Sequence, residues 1–216
     1  YGNIVVSGGK VFIGTNNEIP RNERVKGDKG VLMCFAEADG RFLWQATHDK
    51  LTPMQEHDWP DIGLCSAPCV VGDRLYYVSN NCRLICADTE GFLDGENDGP
   101  FKEEPFASPH DADLIWVLDM HKDLGVVPLY ASASAPVVVG DLLFVGTSNG
   151  NNSEMSKVPA PDAPSLIAVN RHTDQVVWKD NSPGDRIVAG QWSSPACGVV
   201  HERLQVFYAD GDDWLY

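Results

Sequence analysis

The stretch SAPCVVGDRLYYVSN (66–80) returns as SAPVVVGDLLFVGTSN (134–149). Each copy reads as a strand, a tight turn at Gly-Asp, and a second strand rich in Val, Leu, Tyr and Phe, which is the pattern of a β-hairpin. Weaker copies stand at 5–17 (VVSGGKVFIGTNN) and 193–211 (SSPACGVVHERLQVFYADG), so one hairpin recurs along the whole chain. A second block follows each hairpin: GVLMCFAEADGRFLWQ (30–45), CRLICADTEG (82–91) with DLIWVLDM (113–120) after an insertion, and SLIAVNRHTDQVVWKD (165–180). The repeating unit is therefore four strands, A to D, ending on a strand that carries Trp44, Trp116 or Trp178.

Four antiparallel strands per unit, in tandem and without helical periodicity, predict an all-β fold of the β-propeller type. The blades fall at about 1–46, 64–120 and 132–180, with an incomplete one at 192–216, giving about three to three and a half blades and no second domain. One complete blade is expected from strands near 66–71, 74–79, 82–87 and 114–119, and helices should be short or absent. Because the chain opens without Met inside a strand-like run, Tyr1-Gly2-Asn3-Ile4-Val5-Val6, it reads as a piece of a longer protein.

The C and D strands resemble the quinoprotein repeat, roughly A-L-D-A-x-T-G-x-x-x-W. Ala168, Val169, Asn170, Thr173, Asp174 and Trp178 follow it, as do Cys34, Gly40 and Trp44, and more loosely Cys86, Asp88 and Gly91. Two groups share these repeats: pyrroloquinoline quinone (PQQ) dehydrogenases, and non-catalytic bacterial propellers similar to the outer-membrane-assembly scaffold. The resemblance implies an extracytoplasmic protein of the periplasm or cell envelope. It also assigns Trp44, Trp116 and Trp178 to packing against the neighbouring blade, where burying an indole contributes roughly 2–3 kcal/mol.

Composition narrows the partners. A net charge of -15 repels phosphate backbones and anionic lipid surfaces, so neither nucleic acid nor direct membrane insertion is expected. No apolar run is long enough to span a bilayer as a helix.

The six cysteines invite a framework reading that strand geometry opposes. Turns at Gly72-Asp73 and Asn80-Asn81 place Cys69 opposite Tyr76 and Cys82 opposite Ser79. On that register Cys65 and Cys69 share one face, Cys82 and Cys86 the other, and the two pairs cannot meet. Within either pair the separation is roughly 13 Å along an extended strand, beyond disulfide reach. Cys34, Cys86 and Ala168 occupy one repeat position, which reads as small buried filler. The C-x-x-x-C spacing fits neither a zinc knuckle nor a haem site.

In a four-stranded blade the B-to-C and D-to-A connections emerge on one side. Long B-to-C connections (16–29, 148–164) and long D-to-A connections (47–63, 120–133, 181–191) all fall there, and such gathering marks a recognition surface. Its candidates are His57, Asp58, Trp59, Asp61, Tyr130, Asn149, Asn151, Asp185, Arg186, Gln191 and Trp192. His57, flanked by carboxylates, has the chemistry of a base or metal ligand, but no nucleophile pairs with it. His48, His110, His121, His172 and His201 form no constellation.

Asp94, Glu96 and Asp98, at alternate positions in the insertion 92–112, resemble the first half of a calcium loop. The twelfth position is Pro105 rather than a bidentate Glu, so any calcium there would be structural. This insertion is expected on the side opposite the long loops. The resemblance also implies what a PQQ enzyme requires: adjacent cysteines, and calcium held by Glu, Asn and Asp. No Cys-Cys pair occurs. The sequence therefore reads as a non-catalytic propeller, with no cofactor expected, that binds a protein or glycan on its loop-rich face. The alternative is a PQQ-dependent alcohol or sugar dehydrogenase, with calcium, whose site lies partly outside the chain.

Overall fold

The computed structural model describes residues 2–216. The first sheet is β1 (Val5–Ser7), β2 (Lys10–Asn16), β3 (Gly30–Ala36) and β4 (Phe42–His48). The second is β5 (Cys69–Val71), β6 (Arg74–Val78), β7 (Arg83–Asp88) and β8 (Leu114–Asp119), and the third is β9 (Val137–Val139), β10 (Leu142–Gly146), β11 (Leu166–Asn170) and β12 (Val176–Asp180). A hairpin, β13 (Ala196–Val200) and β14 (Arg203–Phe207), follows. Spatial order equals chain order in every sheet and all pairings are antiparallel, so the fold is an incomplete β-propeller. Its only α-helices among the described residues are α1 (Met54–His57) and α2 (Met120–Leu124). No helix of the described residues is long and apolar enough to cross a membrane.

The sequence repeat becomes a side-chain ladder. Val5, Phe12, Cys34 and Trp44 are directly paired across the first sheet; Cys69, Tyr76, Cys86 and Trp116 repeat this in the second, and Val137, Phe144, Ala168 and Trp178 in the third. Directly paired residues share a face, so each ladder is one stripe aimed at the next blade. A β-bulge follows the ladder residue of the third strand in all three sheets, between Cys34 and Phe35, Cys86 and Ala87, and Ala168 and Val169. Such bulges bend the outer strand and re-aim its side chains, here beside the Trp.

Two cores result. Phe12, Cys34 and Trp44 pack with Leu75, Tyr77, Ile85 and Ala87, and Tyr76, Cys86 and Trp116 pack with Leu143, Val145, Ile167 and Val169. Trp44 and Trp116 are 0% and 2% exposed, whereas Trp178 is 47% exposed. The packing expected of Trp178 is thus only half made, because the fourth unit presents just β13 and β14 to that side.

The cysteine register differs from the expectation by one residue. Ser79 donates to Arg83 (2.8 Å), Cys82 donates to Ser79 (3.1 Å), and Cys82 adopts a left-handed φ of 62°. Three loop residues ending in the left-handed region make a hairpin one residue longer than a two-residue turn. Ser79 therefore faces Arg83, and Cys69 and Cys86 lie on the same face. All six cysteines are nonetheless free. The strand of Tyr76 separates Cys69 from Cys86, two spacings or roughly 9.6 Å, which no disulfide bridges.

The insertion between β7 and β8 starts on its expected side, that of the A-to-B turns, but does not stay there: Phe106 and Asp111 reach Arg24 of the 16–29 connection. Its stem lies beside the β1–β2 turn, where Lys10 pairs with Glu90 (2.5 Å). It then runs along the outer edge of β4: Gln45 donates to His110 (3.0 Å) and accepts from Ala112 (2.9 Å), a short parallel bridge that covers part of an exposed edge.

Candidate functional site

Three D-to-A connections place the candidates. The first, after β4, holds α1; the second contains α2; the third contains a 3-10 turn at Gly184–Arg186. The second connection joins the other two. Trp59 donates its backbone N–H to Tyr130 (2.6 Å), and Tyr130 donates to Glu56 (2.6 Å). The indole of Trp192 donates to the carbonyl of Leu129 (3.0 Å).

These bonds hold a group of aromatic rings at the surface. Trp59 meets Tyr130 edge to face, centroids 5.1 Å apart and planes at 89°. Trp59 is 45% and Trp192 42% exposed. Tyr130 has φ 66°, a left-handed backbone that costs a bulky residue about 1–3 kcal/mol and persists only where its surroundings over-determine it. The paired bonds to the α1 segment do so. Gly190 lies under the Trp192 ring, where a Cβ would stand 2.3 Å from indole carbons.

His57, at the end of α1, directs Nδ1 to the carbonyl of Pro128 (2.9 Å). A carbonyl only accepts, so Nδ1 is the donor and Nε2 is left as the second ring nitrogen. His121 makes the same type of bond to Val126 (2.6 Å), and the two rings stand 6.3 Å apart. His121, expected to be isolated, is thus the neighbour of His57. Asp61, with φ 63°, donates its N–H to Asp28 (2.8 Å), and its carbonyl accepts from Asn16 (2.7 Å).

Other candidates are buried. Asp58 is 1% exposed, pairs with Lys50 (2.6 Å) and accepts from Leu51 (3.0 Å) and Asn80 (2.7 Å). Burial pushes its carboxyl up from the usual range, against the pull of Lys50, Asn80 and Leu51. Asn149 bridges Val127 and Ala160, Asn151 donates to Ile187 (2.9 Å), and Gln191 donates to Ser165 (2.9 Å). These four hold the connections in place and are not presented to solvent. Asp185 and Arg186 are exposed, and Arg186 is engaged by Asp212 (3.0 Å) and Tyr216 (3.0 Å). Lys50 and Asn80 were not candidates; as an isolated Lys and a turn Asn, neither carried a pattern.

Asp94 caps the N–H of Glu96 (2.9 Å), while Asp98 is turned to Arg74 (3.4 Å). Among the described residues no three His, Cys, Asp or Glu side chains converge as a metal cage. The donor set the calcium reading requires is therefore not assembled by Asp94, Glu96 and Asp98.

The fold and this face define a β-propeller with an aromatic, loop-built surface. No family model and no curated protein matches the chain. Solved structures do match. A europium-containing methanol dehydrogenase is 14% identical over 81% of this chain and 23% of its own, with a TM-score of 0.49. BamB from Moraxella catarrhalis is 10% identical over 99% of this chain and 50% of its own, TM-score 0.49. The quinohemoprotein alcohol dehydrogenase from Comamonas testosteroni is 12% identical over 97% of this chain and 39% of its own, TM-score 0.43. The chain thus spans between 23% and 50% of the length of these proteins, and the likeness is one of fold.

Proposed function

We propose that the chain is a non-catalytic β-propeller binding module, acting outside the cytoplasm, that engages a protein or glycan partner through Trp59, Tyr130 and Trp192. The observation that carries this reading is the strained, doubly hydrogen-bonded Tyr130 set edge to face against half-exposed Trp59, with half-exposed Trp192 held by the carbonyl of the preceding Leu129. Rings held by backbone bonds lose little conformational freedom on binding, so their apolar faces favour a partner at low entropic cost. Around them the imidazoles of His57 and His121, the amide of Asn151 and the indole N–H of Trp192 are engaged by backbone carbonyls, which suits a fixed binding surface.

The test compares the intact protein with its Trp59→Ala/Trp192→Ala variant on a glycan array and by cross-linking to envelope proteins. Retention that disappears in the variant supports the reading. Reconstitution with PQQ and calcium, followed by dye reduction with alcohols and aldoses, supplies the opposing outcome. Stoichiometric cofactor binding with substrate-dependent turnover sinks it.

A further inference from the structure

A cleft of about 690 Å³ opens at the outer rim between the first and second sheets. Neighbouring blades diverge with distance from the axis, and the insertion fills only part of the wedge, with Phe101, Pro105 and Phe106 forming an apolar floor. Six consecutive residues, Thr47 to Thr52, make one wall. A wall that follows the backbone for that distance suits an extended chain better than a compact ion.

The edge of β4 is prepared for one. Gln45 turns its N–H and C=O outward to His110 and Ala112, and the period of a strand puts the N–H and C=O of Thr47 on the same edge. By that point the insertion has turned away into β8 at Leu114. A peptide lying here extends the ladder by strand addition.

Charge selects the peptide. The chain carries 31 acidic and 16 basic residues, yet Arg24, Lys26, Lys29, Lys50, Arg83 and Lys122 all line this cleft, against Asp49, Glu103 and Asp119. Lys50 is committed to buried Asp58. Lys29 and Arg83 pair with Asp49 and Asp119, but Asp49 is 80% and Arg83 43% exposed, and such surface pairs exchange readily for another carboxylate. Lys26, from the β2–β3 connection, and Lys122, on α2, stand exposed on opposite walls.

The geometry points to an extended acidic peptide segment as the occupant, bonded through its backbone to Thr47 and through carboxylates to Lys26, Lys122 and Arg83. Trp59, Tyr130 and Trp192 do not line this cleft, which adjoins their face through Lys50. The probe is a fluorescent peptide of about ten residues alternating Glu and Val, titrated by polarisation into the intact protein beside Gln–Val and Lys–Val versions. The Glu–Val peptide is expected to bind about tenfold or more tightly than Gln–Val, and Lys26→Glu/Lys122→Glu to weaken it by about tenfold. Lys157→Glu/Lys179→Glu, an exposed double reversal elsewhere, controls for net charge and is expected to change binding less than about twofold. Equal binding of the Gln–Val peptide overturns the proposal, as does an equal effect of Lys157→Glu/Lys179→Glu. Capture of a sulfated polysaccharide with no binding of the Glu–Val peptide also overturns it.

Discussion

The indole N–H of Trp44 donates to the carbonyl of Thr89 in the following unit at 3.0 Å, and Trp116 repeats the bond to Arg171 at 3.1 Å. Thr89 and Arg171 occupy the same position of the repeat, two residues beyond Ala87 and Val169. Gly91 completes the socket: with φ 59° and a Cβ position 2.9 Å from the Trp44 ring, it admits no side chain. One repeat unit is thus read by the next through a ring, a carbonyl and a glycine.

Trp44→Ala is therefore expected to cost about 3–5 kcal/mol, since it opens a cavity and orphans the Thr89 carbonyl. Trp178→Ala, at a half-exposed ring, is expected to cost roughly 1 kcal/mol. Urea unfolding of the two variants measures both. Equal losses would show that the ladder position does not determine packing.

How far the sequence discloses this protein depends on periodicity. The ladder residues repeat in type as well as place, so Trp44, Trp116 and the strands around 74–78 were legible. Cys82 was not, because a single left-handed residue in the turn after Ser79 alters the register without altering composition. The candidate face was legible as loops, but not its sorting into exposed rings and buried clamps. Asp58 and Trp59 are neighbours in sequence, yet Lys50 takes one inward while Tyr130 holds the other at the surface.

Thiol accessibility separates the cysteines. Burial pushes the Cys34, Cys82 and Cys86 thiols up to about 12, and raises Cys65 and Cys69 as well. The thiolate is the reactive species, so these five should resist iodoacetamide at neutral pH. Cys197, exposed on β13, should alone be labelled in the native chain, and all six after denaturation. Peptide mapping that finds Cys34 or Cys82 modified under native conditions would contradict the packing.

His48 gives the pH response a sign. The residue is 7% exposed, its ring is hydrogen-bonded to the Tyr77 hydroxyl (3.0 Å), and burial lowers its pKa to about 3, with Arg83 adding to the drop and Asp49 opposing it. A depressed His binds its proton more readily unfolded. Stability is full above the unfolded value near 6.5 and falls below it, by about 1.4 kcal/mol per pH unit. Asp210, raised to about 6 chiefly by burial, works in the opposite sense between about 6 and 4. The His48 contribution is isolated by His48→Gln, which keeps a polar partner for Tyr77 without titrating. The melting-temperature advantage of wild type over this variant should shrink from pH 7 to pH 5. A constant difference would mean His48 is not held neutral by the fold.

Lys50 and Asp58 supply the last prediction, because burial and pairing oppose each other there. The side chains are 5% and 2% exposed, 2.6 Å apart, and Lys50 also donates to the carbonyl of Trp59 (2.8 Å). Burial raises the Asp58 carboxyl against the pull of Lys50, Asn80 and Leu51, and a buried ion pair contributes little net stability while each charge needs the other. Removing one partner strands the other: Lys50→Met or Asp58→Leu is expected to lose about 3–5 kcal/mol. Lys50→Met/Asp58→Leu removes both charges and should lose less than either single variant, so that the double-mutant cycle is strongly non-additive. Hydrogen exchange across residues 51–62 is the second readout. Both single variants should speed exchange there: Asp58→Leu takes the carboxylate from Leu51 and Asn80, and Lys50→Met takes the ammonium from the Trp59 carbonyl. Additive losses, or unchanged exchange, would show that the pair is a passenger and that Tyr130 alone positions Trp59.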